Sequence, residues 1–159
     1  MARTLLIPTD FSIESLMMLK YASTVSEFDK LNIVFIHCTR LTDSITDLMF
    51  YSPQRILEPL MSDDFHEACN IVKNKFPKKF LSIQVKLFHG FTKSAFIQFL
   101  EANNIDEAII PAKYKLILPK SSFDPVPFIL RIDMPIRQVD WDPQRAHPER
   151  NRIAELFLD

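Results

Sequence analysis

Leu5-Leu6-Ile7-Pro8-Thr9-Asp10-Phe11-Ser12 is the stretch on which the fold of this chain turns. A short apolar run stops at a carboxylate, and a serine suited to cap a helix follows it. A run that is apolar on both faces reads as a buried parallel strand, here one that hands over to a helix in an open α/β sheet. Asp10 then lies at the carboxyl edge of the sheet, the side on which such folds bind ligands.

The pattern continues outward from that point. Thr4 to Ile7 is the first strand. Leu16, Leu19, Ala22 and Val25 recur at helical spacing through Phe28, with Ser12 as the cap. Leu31 to His37 is a second buried strand, rich in β-branched and aromatic residues. Strand, helix, strand over this length is one βαβ unit with a right-handed crossover. From Thr39 to Asp64 the pattern breaks into a long excursion, punctuated by Pro53 and Pro59 and holding a turn or two of helix. Its Phe50 and Tyr51 either form a lid or only cover the sheet. A helix starts at Asp63 or Asp64, lines one face with Phe65, Ala68, Cys69 and Val72, and ends before Pro77. Leu81 to Phe88 alternates apolar and polar and reads as an edge strand. Thr92 caps a helix whose stripe is Ala95, Phe96, Phe99 and Leu100, stopped by Asn103-Asn104. Glu107 to Pro111 is the fourth strand, Ser121 to Arg131 holds a short helix, and Met134 to Val139 is the fifth strand, with Pro135 at its start. After Val139 the composition shifts to arginine without lysine. Residues 1–139 are therefore read as one domain and 140–159 as a C-terminal extension, in which Pro148 opens a helix with Ile153, Leu156 and Phe157 on one face.

Bulk properties agree with one domain. The chain has 159 residues, 47% hydrophobic and 25% charged, enough for a proper core. Net charge of −1 offers no electrostatic basis for nucleic acid or an acidic membrane as partner. No apolar run approaches the roughly 20 residues of a membrane span. The opening residues lack the apolar core of a signal peptide, so the expected location is cytoplasmic. Cys38 and Cys69 stand in no motif, as suits free thiols in a reducing compartment. Glycine is scarce, 1 residue against 11 prolines, where roughly 7% is average. The usual glycine-built phosphate cradle is missing.

Each chemical candidate has a plainer counterpart. Asp10 is an acceptor for a ligand base or hydroxyl, or else a capping or ion-pairing carboxylate. Lys113, Lys115 and Lys120 hold an anion as point charges, or form a solvated loop. His37 and His89 end neighbouring strands, but two histidines without a third ligand make a poor metal site. His66 and Cys69, three apart on a helix, share a face without making a site. Cys38 reads as inert packing. Ser12 lacks the Gly-x-Ser-x-Gly frame of a nucleophile elbow and reads as a cap. With no phosphate loop, metal cluster or nucleophile–base pair in view, neither an enzyme nor a cofactor is expected.

The run Pro8-Thr9-Asp10-Phe11-Ser12, the helix from Ser15-Leu16 to Tyr21-Ala22, Ile36-His37, Gly90 and Ile105-Asp106-Glu107-Ala108-Ile109-Ile110 together resemble the universal stress protein family. The likeness spans roughly residues 3 to 139, most of one domain. It implies a Rossmann-like open sheet of five parallel strands in the order 3-2-1-4-5, with helices on both faces. Members that bind nucleotide hold ATP at the carboxyl edge, with adenine against the carboxylate that ends the first strand, the place of Asp10. They grip phosphate by Gly, two residues, Gly, nine residues, Gly, then Ser or Thr. Those positions fall here on Ala112, Lys115, Pro125 and Val126, and all four depart from the pattern. Lys115 carries a Cβ where positive φ favours glycine, Pro125 has no N–H, and Val126 has no hydroxyl. The expectation is a binding or regulatory protein that does not hold ATP in the family's manner. The resemblance further implies a homodimer through the last strand, to which the tail is added here, with an unknown small molecule or protein as partner. Candidate ligand-contacting residues are Thr9, Asp10, His37, Cys38, Ala112, Lys113 and Lys115. Two alternatives stay open: a nucleotide binder whose phosphate site is built from Lys113 or Lys115, and, less favoured, an enzyme of the adenine-nucleotide α-hydrolase type.

Overall fold

The computed structural model describes residues 2–12, 16, 18, 19, 22, 30–40, 52–90, 92–112 and 115–139. Their apolar runs become strands: β1 (Ala2–Pro8), β2 (Lys30–Thr39), β3 (Phe80–Phe88), β4 (Glu107–Pro111), β5 (Ser122–Phe123) and β6 (Ile136–Val139). The helices are α1 (Pro53–Leu57), α2 (Asp63–Lys75), α3 (Lys93–Ala102) and α4 (Val126–Leu130). Leu16, Met18, Leu19 and Ala22 are also helical and buried.

The sheet runs β3-β2-β1-β4-β6, with every neighbour on this path parallel. This is the expected 3-2-1-4-5 order. One strand was not anticipated: two-residue β5 pairs antiparallel with the end of β2, Cys38 against Phe123 and Thr39 against Ser122. Alternation along each strand sends side chains to opposite faces. Leu5, Ile7, Ile33, Phe35 and Ile109 join one core with Phe65, Ala68 and Val72 of α2. Leu6, Val34, Ile36, Ala108 and Ile110 join the other with Phe96 and Leu100 of α3 and Ile129 of α4. Burial on both faces explains why β1, β2 and β4 carry continuous apolar runs. On β3, Ile83, Val85 and Leu87 pack against the first core while Gln84 and Lys86 are exposed, as an edge strand requires.

Local chemistry sets the helix ends. Ser62 caps α2 by accepting from the Phe65 N–H at 3.2 Å, and Thr92 caps α3 by accepting from the Ala95 N–H at 3.1 Å. Helix α3 closes with Asn104 at φ 55°. The Ile105 N–H then reaches the Leu100 carbonyl and the Asn104 N–H the Glu101 carbonyl, a left-handed cap that asparagine tolerates. Gly90 is required by close approach: a Cβ there would lie 2.8 Å from the Phe88 ring and 2.9 Å from the Ala95 Cβ. At the opposite end of the sheet, buried Glu107 bridges Arg3 at 3.0 Å and Arg137 at 2.6 Å, tying β4 to both flanking strands.

The Phe50–Tyr51 lid and the extension 140–159 lie outside the described residues, so their placement rests on sequence. Among the described residues, no helix is long and apolar enough to cross a membrane.

Candidate functional site

Strand β1 ends in a tight turn built by its own side chains. The Thr9 N–H continues the ladder to the Ile36 carbonyl at 3.0 Å, while Thr9 Oγ1 accepts from the Phe11 N–H at 3.0 Å. Asp10 Oδ1 accepts from the Ser12 N–H at 3.0 Å and from the Ser12 hydroxyl. These bonds hold Phe11 at φ 62°, a conformation that costs a non-glycine residue about 1–3 kcal/mol. Burial offsets that strain: the Phe11 ring lies 4.7 Å from the His37 ring and meets Phe65 edge-on at 5.4 Å.

A second segment crosses these strand ends. Residues 115–123, between β4 and α4, run back over the carboxyl edge and are fastened at several points. The Ile117 N–H donates to Asp10 Oδ2 at 2.9 Å. The Ser121 carbonyl accepts from the Arg40 N–H at 2.7 Å and from Thr39 Oγ1 at 3.0 Å. Ser122 Oγ lies 2.8 Å from His37 Nε2, and His37 Nδ1 lies 3.1 Å from the Thr9 carbonyl. A carbonyl only accepts, so Nδ1 carries the proton, and neutral Nε2 accepts from the Ser122 hydroxyl. Burial lowers the His37 pKa from its ordinary value, against smaller raising effects of the Thr9 bond and the Asp10 charge. His37 therefore sits as a neutral imidazole beneath the crossing segment. The hydroxyl–imidazole pair has the atoms of a nucleophile and its base, but both residues are buried; the pair acts as a fastener.

Of the candidate residues, Thr9, Asp10 and His37 come together at the ends of β1 and β2, while Cys38 turns to the other face of the sheet, into the core under α3 and α4. Cys38 is fully packed, and burial, with the Asp124 charge adding, pushes its thiol far above the ordinary range. Ala112 and Lys115 are exposed; Lys113 is outside the described residues. His89 is exposed, unlike His37. The helix-capping role expected of Ser12 falls on N–H groups outside the described residues; what is visible is its bond to Asp10. Among the described residues, no group of three or more His, Cys, Asp or Glu is arranged to hold a metal ion.

Of the four positions assigned to a phosphate cradle, Ala112 and Val126 have their N–H groups engaged and Pro125 has none. The Ala112 N–H donates to the Val139 carbonyl at 2.8 Å, inside the sheet. Pro125 is buried and offers no N–H. The Val126 N–H donates at 2.9 Å to the carboxylate of Asp124, so that amide is already taken. Sequence reasoning missed Ser122, Ile117 and Asp124. Ser122 and Ile117 act through contacts 85 and 107 residues away in the chain, which no local spacing signals. Asp124, two residues before Val126 and preceding Pro125, carried a readable capping signal.

A structure of a protein from the universal stress protein family from Burkholderia pseudomallei superposes on 87% of this chain and 96% of its own, with TM-score 0.52 and 8% identity. The chain has the universal stress protein fold. The hypothetical protein PH0823 matches over 87% of this chain and 96% of its own, with TM-score 0.50 and 16% identity. No family model matches the sequence, and no curated protein matches it. What is shared at these identities is architecture. The crossing segment and the Asp124 carboxylate are read from this chain's own hydrogen bonds.

Proposed function

We propose that the protein is a binding and regulatory module of the universal stress type that does not hold ATP in the family's usual manner. The observation that carries this reading is the engagement of Asp10. Both carboxylate oxygens already accept hydrogen bonds, from Ser12 and from the Ile117 N–H. An adenine at Asp10 would compete with the crossing segment for its oxygens, and its phosphates would then meet Asp124 rather than free amides. The function rests on binding that shifts this segment, not on bond-making chemistry. The working unit is a homodimer through the last strand and the extension 140–159, and the domain proper ends at 139. Residues Thr9, Asp10, His37, Cys38, Ala112, Lys113 and Lys115 remain the proposed contacts for a small molecule or protein partner.

Titration calorimetry with ATP, ADP and AMP tests the reading, and no binding heat is expected. Saturable 1:1 heat with ATP that is lost in Asp10→Ala overturns it. A second reading, a lysine-built phosphate site, has the exposure of Lys115 at the start of the crossing segment in its favour. Nucleotide binding lost in Lys113→Ala or Lys115→Ala would establish it. Truncation after Val139 should lower the molar mass or the melting temperature; an unchanged dimer of unchanged stability refutes the assigned role of the tail.

A further inference from the structure

Strand β3 ends the sheet on the side away from β6. It pairs with β2, and among the described residues no strand pairs with its other edge. The register slips once, between Leu31 and Asn32, so Leu81 bulges without a partner on β2 and stays 44% exposed. From Ser82 to Phe88 the pairing with β2 is regular. Along such an edge every second residue turns its N–H and C=O outward, a template for a further extended chain. Beside the same stretch a cleft of about 540 Å³ opens. It is lined by Ile83 and Val85 of the strand, Leu57 of α1, Cys69 of α2 and Met61 from the turn between the helices. We propose that an extended peptide adds to the outer edge of β3 along residues 82–88 and sends every second side chain toward this cleft. Main-chain hydrogen bonds then supply affinity, and the cleft supplies specificity.

The two faces of the strand specify the partner. On the cleft face Ile83, Val85 and Leu87 are only partly buried against the core. No lysine or arginine is among the described residues that line the cleft, and Glu58 is the carboxylate there, so this face accepts neutral apolar side chains and disfavours acidic ones. On the opposite face Gln84 and Lys86 are exposed. An edge lysine ordinarily discourages pairing, but a carboxylate set opposite Lys86 makes it one half of a favourable cross-strand pair. The partner is therefore an extended segment that alternates apolar and acidic residues. A second copy of β3 does not meet that description, because its bulge at Leu81 interrupts the alternation. The proposed homodimer through the last strand uses the other edge of the sheet and leaves β3 open. The proposal rests on β3 and its cleft and is independent of the reading of the carboxyl edge.

The test uses the full chain and a heptapeptide, Ser-Val-Glu-Val-Glu-Val-Ser, labelled with fluorescein at its N-terminus and amidated at its C-terminus. Its pattern reads alike in both directions, so it offers valines to the cleft and a glutamate to Lys86 whichever way it runs. Fluorescence anisotropy should rise saturably below roughly 1 mM peptide, the range of a weak interface. On saturation every second amide of residues 82–88 should slow in hydrogen exchange, while the amides of α3 are unchanged. N-methylation separates strand addition from side-chain binding. Of two peptides, one methylated at its valines and one at its glutamates, one should lose about tenfold in affinity and the other should keep it. Lys86→Glu alters an exposed side chain; it should weaken binding roughly threefold or more and favour a peptide with lysines in place of the glutamates. Absence of saturable binding overturns the proposal. So does tolerance of both methylated peptides, or a Lys86→Glu chain that still favours the acidic peptide. Protection of the β3 amides that grows with the concentration of the protein alone would give the edge to a second copy, and this too overturns it.

Discussion

Ser122→Ala removes one hydroxyl and leaves a buried imidazole nitrogen with no donor. His37 is 1% and Ser122 8% exposed, so water cannot take the place of the lost bond. Because Nδ1–H is committed to the Thr9 carbonyl, the ring cannot offer a proton from Nε2 without becoming charged. The cost is that of an orphaned buried acceptor, about 1–3 kcal/mol. The alanine keeps the Cβ, so the cavity contribution is small. At roughly 2–4 °C per kcal/mol for a chain of this size, a loss near the middle of that range lowers the melting temperature by about 4–8 °C. Urea denaturation is the direct assay: the midpoint should fall with the slope unchanged, since the surface exposed on unfolding is the same. Amide exchange at Ile117 should quicken, because one fastener of the crossing segment is gone. The double variant with His37→Asn isolates the pair, and a coupling of at least about 0.5 kcal/mol is expected for groups in direct contact. A Ser122→Ala midpoint equal to the parent's, or strictly additive single variants, would refute the assignment of Ser122 and His37 as partners.

Three further outcomes follow from the same geometry. Gly90→Ala forces a Cβ against the Phe88 ring and Ala95. That ring is wedged among Phe96, Phe99, Phe123 and Phe128 and cannot yield cheaply, so a loss of about 1–3 kcal/mol is expected by chemical denaturation. Glu107→Gln removes the charge shared by Arg3 and Arg137 and should cost about 1–3 kcal/mol, with high salt narrowing the gap to the parent because the arginines are partly exposed. Finally, burial holds the folded pKa of His37 below the ordinary 6.5. As pH falls below that value the unfolded chain takes up the proton first, so stability present above pH 6.5 should decline toward the folded pKa. The parent should lose more stability between pH 7.5 and 5 than His37→Asn, and equal slopes would sink the claim.

The fold was legible in the strands because burial on both faces leaves a mark that composition carries openly. Leu5-Leu6-Ile7 and Ile33-Val34-Phe35-Ile36 are apolar without interruption because each residue has a core on its own side of the sheet. The alternation in β3 announced an edge for the complementary reason. Helix stops such as Asn103-Asn104 were readable because they answer a local backbone demand. The candidate site was legible only in part. Asp10 could be placed at the carboxyl edge, and the unsuitability of Pro125 and Val126 for a phosphate followed from their chemistry alone. What engages Asp10 could not be read, because the Ile117 N–H belongs to the backbone and every residue but proline has one.

By itself, then, the amino-acid order determined the five parallel strands, the helices between them and the loss of the glycine cradle. These depend on periodicity and on the intrinsic chemistry of single residues. Only the tertiary structure decided what lies over the strand ends: residues 115–123 fastened to Asp10, Thr39 and His37, with Asp124 on the Val126 amide. Except for that last local bond, these contacts join backbone and side-chain groups far apart in the chain. Their specificity comes from geometry reached after the sheet has formed, not from any pattern along the chain.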